Sequence, residues 1–136
     1  MEKNQELSSY LGFIQNVITR MGQNSFQAKA WCITIASALT AIKFGSGKSI
    51  SCVVGIFASV LFCLLDSYYL YLERGYRQLY NIAAGLADNQ SCKPFDMAIP
   101  REYRSIKKYC KAVFSITTGL FYTAIIFGMS LILIFA

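Results

Sequence analysis

Residues 50–86 read ISCVVGIFASVLFCLLDSYYLYLERGYRQLYNIAAGL, and the order of residue types along them decides the fold. Residues 50–65 carry no charge; Asp66 follows, then Tyr68, Tyr69 and Tyr71, then Glu73, Arg74 and Arg77. No proline interrupts the stretch, and helical spacing persists through Tyr76, Leu79, Tyr80 and Ala83. Gly55 and Gly75 are tolerable within a packed helix. One helix over these residues is about 55 Å long at about 1.5 Å per residue, against about 30 Å of hydrocarbon in a bilayer. Such a helix must protrude: the tyrosines mark the interface, and residues 73–86 extend into water.

The rest of the chain also fits a bilayer. Of its 136 residues 55% are hydrophobic and only 15% charged, where globular domains carry about 45–50% and about 25%. Mean hydropathy is +0.43. Residues 112–136 contain no charged side chain and form the strongest span. Residues 30–42 form a shorter apolar run bounded by Lys29 and Lys43, whose side chains can snorkel outward to lengthen it, with Trp31 as an interfacial aromatic. Between that run and residue 50 lies Gly45-Ser46-Gly47-Lys48-Ser49. It resembles a phosphate loop only superficially, because Ile42 stands where the motif needs glycine; two glycines more simply let antiparallel helices reverse.

Ahead of the hairpin, Leu7, Leu11, Ile14, Ile18 and Met21 recur at helical spacing opposite Gln15, Asn16, Thr19 and Arg20, which predicts an amphipathic helix ending before an Asn24/Ser25 cap. The chain thus divides into an amphipathic helix (1–24), a helical hairpin with a cytoplasmic extension (25–86), a cytoplasmic connector (87–100) and a basic helix running unbroken into the third span (101–136). The connector carries Pro94 and Pro100, with Phe95, Met97 and Ile99 as contact points. The expected class is an all-α membrane protein of three spans. With the N-terminus in the cytoplasm, only Lys43 and Lys48 of the 13 Lys and Arg residues face outward, an asymmetry that fixes the orientation and leaves the C-terminus across the membrane. No cleavable signal is visible at the N-terminus.

Several function classes recede at this stage. The chain has no histidine, the commonest general base and zinc ligand. Its five cysteines include no C-x-x-C pair. Catalysis would fall on Asp66, Glu73 or a cysteine, with no nucleophile and base in sight, so a non-enzyme without metal or cofactor is expected. On a membrane protein the net charge of +6 reports topology and anionic lipid rather than nucleic acid.

Asp66 is the one acid within an apolar stretch, where an ionisable group marks a functional candidate. In a hairpin turning near Gly47, Lys29 shares its depth, so a boundary ion pair is expected, with Lys111 as a rival partner. The reading spans a pair that merely fixes helix register and one that gates. Tyr69, Glu73, Arg77 and Tyr80 continue the face of Asp66 at steps of three and four, a surface for self-association, for a partner or for intramolecular packing. Arg101, Arg104, Lys107, Lys108 and Lys111 form a lipid or topology anchor.

The run Leu65-Asp66-Ser67-Tyr68-Tyr69-Leu70-Tyr71-Leu72-Glu73-Arg74, followed by Tyr76-Arg77-Gln78-Leu79-Tyr80, resembles small bacterial membrane proteins in which a span runs into a Leu-Asp-x-Tyr-Tyr-Leu-x-x-Glu-Arg helix. It is also loosely similar to the two-span effector modules of anti-phage defence systems. It departs from them in its third span and in lacking a ligand-sensing domain. The resemblance implies an oligomeric effector of the bacterial inner membrane that perturbs the membrane when a cytoplasmic partner triggers it. The alternative is a non-conducting adaptor that anchors a cytoplasmic complex.

Overall fold

A computed structural model describes residues 2–85 and 95–135. They are all-helical, with no strand among them. Helix α1 spans Glu2–Ser46, α2 spans Ile50–Ala83, α3 spans Ile106–Val113 and α4 spans Ile116–Phe135, with a 3-10 turn at Arg101–Tyr103. Two of these helices, α2 and α4, are long and apolar enough to cross a membrane.

The first correction concerns α1. The expected boundary at Asn24 and Ser25 does not exist; one helix of 45 residues, about 68 Å, runs through it. Ser25 looks like a cap because its hydroxyl can serve a free backbone N–H. Here that hydroxyl donates instead to Asp66 of α2. Nothing else in 20–30 interrupts helical geometry, since there is no proline and Gly22 lies within packing reach of Glu73. The chain reverses at Gly47, whose φ of 68° is the left-handed value a glycine adopts without strain, and its N–H closes α1 by bonding Lys43 O at 2.8 Å. Lys43 does not snorkel. It is buried across the turn, where its Nζ donates to Ser49 Oγ at 3.0 Å.

α1 then packs antiparallel along α2. The seam is built from small residues: every fourth position of α2 from Ser51 through Gly55, Ser59, Cys63 and Ser67, against Ser25, Ala28 and Cys32 of α1. Cβ atoms this small let two backbones approach, the device that replaces hydrophobic driving force between helices in lipid. Toward the free end of the hairpin the seam becomes an ordinary apolar core of Tyr10, Ile14, Ile18 and Leu79, with Tyr76, Tyr80, Ala83 and Met97 packed on it. α2 ends at Ala83; Gly85, with φ of 71°, follows as the terminating glycine.

Leu86 and Pro94, with the first part of the expected connector, lie outside the described residues. Its last part, 95–100, clasps the hairpin. The Tyr10 hydroxyl donates to Asp96 O, the Phe95 ring lies 5.7 Å from that of Tyr10, and Ile99 presses on Gly75. A Cβ at Gly75 would collide with the Ile99 side chain.

A second correction is the basic segment, which is broken twice rather than continuous with the span. Arg104 and Ser105 leave helical geometry after the 3-10 turn, and Phe114 and Ser115 separate α3 from α4. A long-range contact accompanies the second break: Arg74 of α2 donates to Ser115 Oγ at 3.0 Å, pinning the start of α4 against α2. α4 then runs antiparallel to α2, from the Arg74–Ser115 contact to Met129 beside Gly55.

Candidate functional site

Three helices converge on Asp66. Its carboxylate is fully buried, with Lys29 Nζ 2.6 Å from Oδ2 and Ser25 donating to Oδ1. Lys29 also donates to Ser25 Oγ at 3.0 Å, which closes a three-membered network between α1 and α2. α4 adds Tyr122, also buried, whose hydroxyl faces Asp66 and the thiols of Cys32 and Cys63. Thr118, one turn earlier on α4, is fully buried; its hydroxyl, that of Tyr122 and Asp66 Oδ2 make no hydrogen bond among the described residues. The sequence signals Lys29 and Asp66 through their equal distance from the turn; Ser25, Thr118 and Tyr122 carry no such signal, because hydroxyl residues are ordinary in apolar helices.

Depth sets the energetics. Arg74 and Ser115 mark the level at which α4 begins, and Asp66 lies eight residues beyond Arg74 along α2, about 12 Å. Tyr122, level with Asp66, is in the second turn of α4. Relative to the apolar helix α4, the pair lies about two turns in from the helix start. A carboxylate buried this fully is held only by close compensation. Asp66 has a hydrogen bond from Ser25 at Oδ1 and the charge of Lys29 beside Oδ2.

The other residues singled out by spacing have different fates. Glu73 and Arg77 form an i,i+4 pair, with Arg77 Nε and Nη2 at 2.9 and 2.8 Å from the same oxygen. Arg77 is exposed but Glu73 is turned toward α1 at Gly22, and Tyr80 packs on the Tyr10 cluster. The Tyr69–Tyr80 face is thus not one continuous free surface; α1 covers much of it. Because the Glu73–Arg77 pair is half in water, Glu73→Ala is expected to lower unfolding stability by no more than about 0.5 kcal/mol in a detergent melt. A loss several times larger would give the pair a role that its exposure does not support.

On the basic segment Arg101, Arg104, Lys107 and Lys111 are exposed, and Lys108 sits over the Tyr103 ring, 3.8 Å from its centre. None of them reaches Asp66 within ion-pair distance, so Lys111 is not its partner. Tyr109 donates to Leu64 O at 3.1 Å, and burial pushes its phenol above the ordinary value, keeping it a neutral donor at neutral pH. Among the described residues no group of three His, Cys, Asp or Glu could hold a metal ion. Cys32 and Cys52 are buried free thiols, Cys63 is half-buried, Cys110 is exposed, and Cys92 lies outside the described residues.

Comparison with protein-family models, curated proteins and solved structures gives no match. Fold and site together define a class: an all-helical chain with two helices able to cross a membrane and a buried ion pair held between α1 and α2.

Proposed function

We propose that the protein is a membrane effector in which the Lys29–Asp66 pair locks three helices in a resting arrangement, and release of that lock makes the membrane leak. Residues 30–42 serve as a span beside α2 and α4. The placement in lipid is supported by an inverted distribution of side chains. Trp31, Phe57, Leu61, Leu120 and Phe127 point outward, whereas Ser59, Asp66, Ser67 and Thr118 are buried. A soluble bundle would reverse that order, since contiguous apolar surface in water drives association.

The observation that carries the functional reading is the Asp66 network. Charge at membrane depth raises the free energy of every arrangement that separates the pair, so two helix packings can differ sharply in stability through these few atoms. The hairpin's own core around Tyr10 and Leu79 makes it a rigid lever on which a cytoplasmic partner can act. The resemblance of residues 65–80 extends the proposal to an oligomeric defence effector of the bacterial inner membrane, N-terminus in the cytoplasm and C-terminus in the periplasm.

The test is ion flux from liposomes containing the purified chain. Asp66→Asn and Lys29→Ala are expected to raise leak several-fold over wild type. Equal flux in all three would end the effector reading. Absence of flux together with recovery of a stoichiometric soluble partner would establish the adaptor instead, a reading favoured by the clasp of Asp96 and Ile99, which stiffens the hairpin as an anchor would require.

A further inference from the structure

The basic segment and the tyrosine belt meet in a cleft that the Asp66 network does not use. Between α2 and the chain from Met97 to Tyr109 lies a space of about 690 Å³, lined by Tyr68, Tyr71, Tyr76, Tyr109, Ile99 and Arg104. Its aromatic lining is held in place. Tyr71 donates to Tyr103 O at 3.2 Å, and the Tyr109 ring stands edge-on to Tyr71 at 6.1 Å. Ile106, 82% exposed, also lines the cleft and offers water an apolar side chain with nothing over it.

The charge around the cleft is one-sided. Residues 101–111 hold Arg101, Arg104, Lys107, Lys108 and Lys111 against the single acid Glu102, and among the described residues none of these six forms an ion pair. A free anion would use the guanidinium and leave the tyrosines and Ile106 idle. A neutral lipid would use the rings and leave Arg104 unpaired. An anionic phospholipid uses both, because its phosphate accepts a bidentate guanidinium while its acyl chain lies on apolar and aromatic surface. The cleft is also at the right height: it faces α2 between Tyr68 and Tyr76, beside the Arg74–Ser115 contact where α4 begins.

We propose that this cleft binds one anionic phospholipid, with the phosphate on Arg104 and an acyl chain along Ile106 and the tyrosine rings. The proposal rests on the membrane placement given above, but not on leak or gating. A bound lipid would bridge α2 to α3 and so tie the basic segment to the hairpin.

Native mass spectrometry of the full chain released from neutral detergent tests it, with dioleoylphosphatidylglycerol, dioleoylphosphatidylcholine and inorganic phosphate as probes. Wild type is expected to retain one phosphatidylglycerol per chain with about tenfold preference over phosphatidylcholine. Arg104→Ala should lower that preference about five- to tenfold, whereas Arg20→Ala, on the exposed face of α1 away from the cleft, should change it by less than about twofold. Ala98→Phe, which fills the cleft without touching a charge, should abolish retention. Equal retention of the two lipids by wild type would overturn the proposal. So would an Arg20→Ala loss matching that of Arg104→Ala, which would mean diffuse surface charge, or displacement of the lipid by inorganic phosphate, which would mean a free-anion site. None of these outcomes bears on liposome leak, so failure here and failure of the effector reading are told apart.

Discussion

Lys29→Met is expected to lower the unfolding stability of the bundle by about 3–5 kcal/mol, the cost of leaving a buried carboxylate without its partner. Asp66→Asn should cost less, about 1–3 kcal/mol. The asymmetry follows from exposure: the Asp66 side chain is 0% accessible and the Lys29 side chain 20%, so an orphaned ammonium can turn toward solvent while an orphaned carboxylate cannot. The double variant should sit close to Asp66→Asn alone, because the Lys29 substitution does little harm once the negative charge is gone. Equilibrium unfolding in mixed micelles measures all of this. Additive losses in the double variant would mean that the two residues are not coupled as described.

Gly55→Val should come second in size, with a loss of about 1–3 kcal/mol from overpacking. Gly55 lies where three helices meet: an added Cβ would overlap the Met129 side chain of α4 and touch Leu39 Cδ1 of α1 at 3.3 Å. Alanine is a different case. Its methyl displaces only the flexible end of Met129, and a helical glycine replaced by alanine gains up to about 1 kcal/mol in backbone terms, so Gly55→Ala should be close to neutral. Met129→Ala in the Gly55→Val background should restore part of the loss by opening the space the valine needs. Thermal melts in detergent, together with cross-linking of engineered cysteine pairs between α2 and α4, separate a local clash from a bundle that has come apart. A Gly55→Val chain as stable as wild type would show that α4 does not pack where Met129 places it.

The parts of the molecule legible in the sequence are those fixed by neighbours along the chain. Hydropathy marks α2 and α4, the length of residues 50–83 requires a helix that outruns the hydrocarbon, and the glycines at 45 and 47 require a reversal. The four-residue spacing of Ser51, Gly55, Ser59, Cys63 and Ser67 stands out as a packing seam only once α1 lies against it. Arithmetic from the turn also put Lys29 beside Asp66, because two antiparallel helices of equal rise share depth residue by residue.

What eluded such reasoning depends on contacts made across long stretches of chain. Ser25 reads as a cap, but α1 runs through it and its hydroxyl bonds a carboxylate 41 positions away. Residues 101–136 read as one helix, yet the Arg74 guanidinium, 41 positions before Ser115, accompanies the break. Tyr122 reads as one more ring in an apolar span until α4 turns it onto Asp66. Composition and periodicity state which side of a helix is greasy and how far it reaches, since both follow from local geometry and transfer free energy. They are silent on which polar group meets which. That choice is made only when α1, α2 and α4 pack together, because in a low-dielectric interior each hydroxyl and charge takes whatever partner the register brings within about 3 Å.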